Sequence, residues 1–90
     1  MGIGKLQKKL QKIFAHPIPT NLDWRGVESL LAHLGFEIEH TKKGHVKIKN
    51  EEGKEVVLIV HNHEINNKDE VVKLKHFLEQ NGITADTKLS

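Results

Sequence analysis

The sequence feature that most limits the possible folds of this chain is the five-residue segment His45–Lys49, which lies between two turn signals. Polar and apolar residues alternate along it. The segment Lys42-Lys43-Gly44 precedes it, and Asn50-Glu51-Glu52-Gly53-Lys54 follows it. Because side chains on a strand alternate between two faces, Val46 and Ile48 are predicted to fill a core. The histidine and the two lysines of the segment are then predicted to lie together on the opposite face.

The second turn signal predicts a hairpin to a third strand over Glu55 to Val60. The hairpin register places Ile59 beside His45 and Val57 beside Lys47, on the face away from the core. The third strand is therefore predicted to be apolar on both of its faces.

A helix and a first strand are predicted ahead of this hairpin. The helix begins between Asn21 and Trp24, where Asn21 or Asp23 is suited to cap exposed backbone amides. Gly35 supplies the left-handed conformation that commonly ends helices. The residues Phe36–His40 then alternate as a strand does, with the two apolar side chains pointing inward.

Two more helices complete the predicted set. Lys5–Phe14 carries apolar residues at helical spacing and four lysines on the remaining arc, and Pro17 ends it. The last helix opens at Asn67, which is suited to cap it, with Glu70 expected to reach back to the cap. Asn81-Gly82 ends this helix.

The element order predicts an α+β domain with the arrangement α-α-β-β-β-α. Its three-stranded antiparallel meander has flanking helices on one face, which leaves the other face open. Residues 1–83 are predicted to form one domain, with a helix and a proline-containing connector over 1–20 and a core over 21–83. Residues 84–90 are polar without a clear pattern and are predicted to be a disordered tail.

Composition limits the protein class only mildly. The chain has 90 residues, no cysteine and a formal charge of +2. The absence of cysteine fits a reducing cytoplasm, which is the predicted location. No apolar run reaches membrane-spanning length, so no membrane partner is expected.

The candidate site is the basic row on the open face of the predicted sheet. Lysines suit a ribose-phosphate backbone, and an imidazole among them suits a proton carrier that takes a proton from a ribose hydroxyl. The alternative to an RNA-binding site is that these residues form an ordinary strand face exposed to solvent, without a functional role. The predicted catalytic residue is His45, and the predicted RNA-binding residues are Lys42, Lys43, Lys47 and Lys49.

Two other features accompany this row. His61 and His63 would share one side of an extended chain, but no recognisable ligand spacing accompanies them, so neither a metal nor another cofactor is predicted. Val57 and Ile59 are apolar on the open face, which indicates either a protein partner or a modest exposed patch.

The chain resembles the HicA-type toxins of bacterial type II toxin–antitoxin systems, also called the YcfA-like family, from about Trp24 to Ile83. The resemblance is carried by the stretches 27–36 and 73–83, by Lys43-Gly44-His45-Val46-Lys47-Ile48 and by the hydrophobic strand that ends in His61. The leading segment 13–20, together with Asp23-Trp24, is similar to that of a longer subgroup.

This resemblance implies an architecture similar to double-stranded-RNA-binding domains and an activity that cleaves mRNA with a strand histidine, which corresponds to His45. It also implies a HicB-like antitoxin partner that covers the site, in keeping with apolar Val57 and Ile59. Typical toxins have Gly-Ser-His where this chain has Lys43-Gly44-His45. Two hypotheses follow: a metal-independent endoribonuclease toxin, or a non-catalytic module of the same fold that binds RNA or protein.

Overall fold

The computed structural model describes residues 2–89, which form three helices and five strands. In chain order these are α1 (Gly2–Ile13), β1 (Leu22–Asp23), α2 (Trp24–His33), β2 (Glu37–Lys42), β3 (His45–Lys49), β4 (Glu55–Ile59), β5 (Glu64–Ile65) and α3 (Lys68–Gln80). Within these residues, no helix combines the length and the apolar character needed to cross a bilayer.

The main sheet has the order β2-β3-β4 with both pairs antiparallel. His45 lies opposite Ile59 and Lys47 lies opposite Val57, as the hairpin register predicted. Val46 and Ile48, on the other face, are buried. The α+β class and the three-stranded antiparallel meander are confirmed.

A second sheet of only two short strands was not predicted. Leu22 of β1 pairs with Ile65 of β5, and both side chains are fully buried. Two-residue strands are too short to show an alternating pattern, so periodicity gives no signal for them. This small sheet fixes the start of α2 beside the loop that follows β4, which matters for the site described below.

The core lies between the helices and the inner face of the main sheet. Side chains of α2 and α3 pack against the sheet, and Leu10 and Ile13 of α1 are fully buried against α2. Burying one such side chain stabilises the fold by about 1.5–3 kcal/mol. The predicted basic amphipathic helix is therefore part of the core, through its apolar stripe.

The N-caps of α2 and α3 are as predicted, but the role predicted for Glu70 is not. Asp23 accepts a hydrogen bond from the backbone of Gly26, and Asn67 accepts one from the backbone of Asp69. Glu70 does not complete a capping box, and that expectation was wrong. Its carboxylate is buried and accepts from the backbone N–H of Ile59 at 2.8 Å, because α3 runs beside the edge of β4.

The C-terminal segment differs from the predicted disordered tail. Leu89 is only 4% exposed and belongs to the core cluster. Gln7 of α1 donates through its side-chain amide to the carbonyl of Thr87 at 2.8 Å, and accepts from the backbone N–H of Leu89 at 3.3 Å. A single leucine in a polar segment has no periodicity, which is why the sequence did not show this packing.

Candidate functional site

Three histidines from separate segments meet at one end of the main sheet. His40 of β2, His45 of β3 and His63 of the loop before β5 line a cleft of about 290 Å³. The remaining wall includes Trp24 and Asn62. A volume of roughly 300 Å³ is the lower end for small-molecule sites. The cleft is therefore at the lower end of the size range of small-molecule sites, and three histidines contribute to its lining.

The turn between β2 and β3 positions His45. Gly44 has φ +80 and its carbonyl accepts from the backbone N–H of Val60 at 2.8 Å, so the turn is tied to the end of β4. The pairing shifts by one residue between His40 and Lys42, which places Lys42 opposite His45. The sequence predicted the turn but not this shift.

His45 itself is half-buried and lies outside the hydrophobic core cluster. Its Nδ1 lies 3.3 Å from the backbone carbonyl of Lys43. In the tautomer in which Nδ1–H donates to that carbonyl, Nε2 keeps a free lone pair and is able to accept a proton. The local backbone thus favours the tautomer that a general base needs.

His63 reaches the cleft through a tight turn that the sequence did not predict. His61 and Glu64 exchange backbone hydrogen bonds of 2.8 and 2.9 Å, and the two residues between them have φ values of +50 and +62. These angles are those of a type I′ turn. The extended chain considered for a histidine pair is therefore absent, and only His63, not His61, lines the cleft.

The turn is also costly for the backbone. Asn tolerates the left-handed conformation well, but a histidine at the second central position stands where glycine is favoured. The left-handed conformation costs a side-chain-bearing residue about 1–2 kcal/mol. Such strained positions are concentrated at functional sites.

His40 lies on the helix side of the sheet, opposite Val46. Its Nε2 is 3.5 Å from Oε2 of Glu28 on α2, and its side chain is 64% exposed. An exposed pair of this kind contributes little to stability. The sequence pattern predicted His40 only as the end of the first strand, and its position in the cleft depends on the tertiary structure.

The predicted RNA-binding lysines separate into two groups. Lys42 and Lys43 are exposed in and beside the turn that carries His45. The ammonium group of Lys47 lies 3.6 Å from Oε2 of Glu39 and 3.8 Å from Oε2 of Glu55. Lys49 pairs in register with Glu37 and Glu55, about 13 Å along the strand from His45 at the usual rise per residue.

The open face is consequently of mixed charge. Three glutamates from β2 and β4 stand beside the two lysines of β3, and they are Glu37, Glu39 and Glu55. The alternation of β3 gives no sign of these carboxylates, because they belong to the neighbouring strands. Among the described residues, Lys42, Lys43 and Lys49 have no carboxylate within 4 Å, and of these three only the two turn lysines lie beside His45.

Val57 and Ile59 stand on the same open face. Their exposures are 40% and 52%, and they are the large hydrophobic residues of the described chain that are exposed. They lie opposite Lys47 and His45 respectively, so an apolar pair adjoins the histidine end of the sheet.

Trp24 is 3% exposed and belongs to the hydrophobic core cluster. Its indole N–H has no acceptor among residues 2–89. The backbone N–H of the same residue donates to the carbonyl of His63 at 2.8 Å, which ties the strained turn to the start of α2.

A second depression of about 290 Å³ lies at the opposite end of the sheet. Leu34, Phe36, Asn50, Glu51 and Asn81 contribute to its lining. These side chains provide amides, a carboxylate and apolar groups but no imidazole. The histidine cleft is therefore the better candidate for proton-transfer chemistry.

No group of three or more histidine, aspartate or glutamate side chains within residues 2–89 has an arrangement suited to a metal ion. Comparison of the chain with protein-family models, with curated proteins and with solved structures found no match in any of the three.

Proposed function

We propose that this protein is a HicA-like toxin that binds RNA and cleaves mRNA without a metal ion, on a fold arranged like a double-stranded-RNA-binding domain. One observation carries the proposal. His45 lines a cleft with two further histidines and lies beside two lysines, Lys42 and Lys43, that have no carboxylate within 4 Å among the described residues. Histidines and lysines thus lie at the same end of the sheet.

In this proposal Nε2 of His45 takes the proton from a ribose 2′-hydroxyl. A positioned general base of this kind contributes about 10²–10⁴-fold to a rate. The ammonium groups of Lys42 and Lys43 attract the phosphates on either side of the bond that is cut. Lys47 makes a smaller contribution because Glu39 and Glu55 compensate its charge, and Lys49 makes a smaller one because it lies farther along the strand from His45.

A second candidate is a non-catalytic module that binds RNA or a protein. The observation that favours it is the open face, where Val57 and Ile59 are exposed among charges of both signs. An apolar centre with a charged rim is typical of protein interfaces. In the toxin hypothesis the same two residues contact a HicB-like antitoxin that covers the cleft.

A gel assay separates the two candidates. The purified protein is incubated with a structured mRNA in the presence of a chelator, alongside His45→Ala and a matched variant, His76→Ala. His76 is an exposed histidine of α3 that does not line the cleft. The nuclease proposal requires cleavage by the wild type and by His76→Ala, and none by His45→Ala.

Other outcomes are equally informative. An RNA band that is shifted but intact with all three proteins supports the non-catalytic module. Equal cleavage by all three proteins indicates a contaminating nuclease and contradicts the role of His45.

A further inference from the structure

Resting on the proposed function, we infer that His63 is the general acid of the cleft and protonates the leaving 5′ oxygen. His45 and His63 line the same cleft from different segments. Neither of them takes part in an ion pair within residues 2–89. Cleavage by attack of a 2′-hydroxyl needs two proton transfers, and two imidazoles on one cleft are able to perform both.

The backbone holds His63 firmly at this position. Its carbonyl accepts from the N–H of Trp24, and the turn that contains it is closed by two hydrogen bonds between His61 and Glu64. The pairing of β1 with β5 fixes the next residues of the same loop. A catalytic side chain requires such a fixed base, because small displacements reduce the rate strongly.

The strain in the turn also supports a role of His63 in the cleft. Glycine is the favoured residue at the second central position of a type I′ turn, and His63 occupies it at φ +62. A histidine there lowers stability relative to glycine. The imidazole is therefore better explained by a role in the cleft than by a role in folding.

His40 is the competing candidate, and its contacts make it less suitable. Its Nε2 lies 3.5 Å from the carboxylate of Glu28. A proton on that nitrogen is shared with the carboxylate and directed toward α2. The ring of His63 makes no hydrogen bond or ion pair with any described residue, so its nitrogens are available to a ligand.

The proposed step balances in atoms and protons. Nε2 of His45 removes the proton of the 2′-hydroxyl as the 2′ oxygen forms a bond to phosphorus. The bond from phosphorus to the 5′ oxygen breaks, and the imidazolium of His63 gives its proton to that oxygen. The products are a 2′,3′-cyclic phosphate and a free 5′-hydroxyl, and water returns the two histidines to their starting protonation states.

The decisive experiment uses two RNA substrates that differ in one atom. In the second substrate, sulfur replaces the bridging 5′ oxygen at the mapped cleavage position. A thiolate leaves without being protonated, so this substrate needs a general base but no general acid. Single-turnover rates are measured for the wild type, His45→Ala, His63→Asn, His40→Asn and His61→Asn.

Asparagine is chosen at position 63 because it tolerates the left-handed backbone and cannot supply an imidazole proton. His61→Asn is the matched control, since His61 belongs to the same turn but does not line the cleft. Circular dichroism and the fluorescence of Trp24 report whether each variant is folded.

The inference requires His63→Asn to cleave the oxygen substrate about 100-fold more slowly than the wild type. It also requires this variant to cleave the sulfur substrate within a few-fold of the wild type. His45→Ala is expected to be slow on both substrates, and His61→Asn is expected to behave as the wild type.

Failure of the His63 assignment and failure of the nuclease proposal give different results in this experiment. A folded His63→Asn that is slow on both substrates, or fast on both, overturns the assignment of the general acid while the nuclease proposal stands. Rescue by sulfur in His40→Asn alone transfers the role to His40 and likewise overturns the assignment. A wild-type protein that cleaves neither substrate contradicts the nuclease proposal itself, and the assignment of His63 with it.

Discussion

The backbone N–H of Ile59 donates to Oε1 of Glu70 at 2.8 Å, so that a side chain of α3 occupies the place of a neighbouring strand at the edge of β4. Lys73 of the same helix also covers the edge of β4, because it donates to the carbonyl of Val57 at 3.2 Å. Its ammonium group lies 3.1 Å from Oε2 of Glu70. Edge strands otherwise offer unpaired backbone groups to other chains. A partner at this edge therefore meets the exposed side chains of Val57 and Ile59 rather than a free strand edge.

The first prediction concerns the hydrogen bond between Glu70 and the edge of β4. Glu70→Ala is expected to lower the free energy of unfolding by about 2 kcal/mol, because it leaves the N–H of Ile59 without an acceptor. Urea unfolding followed by Trp24 fluorescence measures the change, since Trp24 is the single tryptophan of the chain and is buried. Glu79→Ala, at an exposed position of the same helix, is the control. Equal stability of the two variants would contradict the role of Glu70.

The second prediction concerns the C-terminal segment. Leu89→Ala is expected to lower the unfolding free energy by about 2 kcal/mol, the lower end for a buried leucine, because the site lies near a chain end. Urea unfolding of Lys88→Ala, which changes an exposed neighbour, gives the control value. Loss of stability in neither variant would show that the segment does not contribute to the core in solution.

The third prediction separates stability from activity at the strained turn. His63→Gly is expected to raise the unfolding free energy by about 1 kcal/mol, because glycine adopts φ +62 without steric cost. The same variant is expected to lose RNA cleavage. His61→Gly, outside the left-handed positions, is expected to gain no stability. A His63→Gly protein that is less stable than the wild type would contradict the strain argument.

The fourth prediction concerns RNA affinity. Replacing Lys42 and Lys43 together by glutamine is expected to weaken binding and to reduce the dependence of log K on log salt by about 0.7 for each phosphate that is no longer neutralised. Lys47→Gln is expected to change this slope much less, because Glu39 and Glu55 compensate its charge. Fluorescence anisotropy at several salt concentrations measures both. Equal slopes for the two variants would contradict the separation of the lysines into two groups.

The meander was predictable because its signals are local. Gly44 and Gly53 mark the two turns at φ +80 and +90, and the alternation of β3 specifies which side chains face the core. The capping residues Asp23 and Asn67 were predictable for the same reason, because each accepts a hydrogen bond from a backbone N–H no more than three residues away.

The candidate site was only partly predictable. His45 and the turn lysines follow from the strand pattern, but the charge of the open face depends on Glu37, Glu39 and Glu55, which stand beside the lysines of β3 across strand pairs. Pairing of β1 with β5 joins residues more than forty positions apart, and no local pattern indicates it.

The amino-acid sequence alone determined the α+β class, the three-stranded meander and the face on which each residue of β3 lies, because alternation and turn chemistry act over a few residues. The tertiary structure alone decided which histidines share a cleft, which lysines are compensated by carboxylates and where Glu70 and Leu89 are buried. Those outcomes depend on contacts between segments distant in the chain, and such contacts are set by the packing of the whole core rather than by any local pattern.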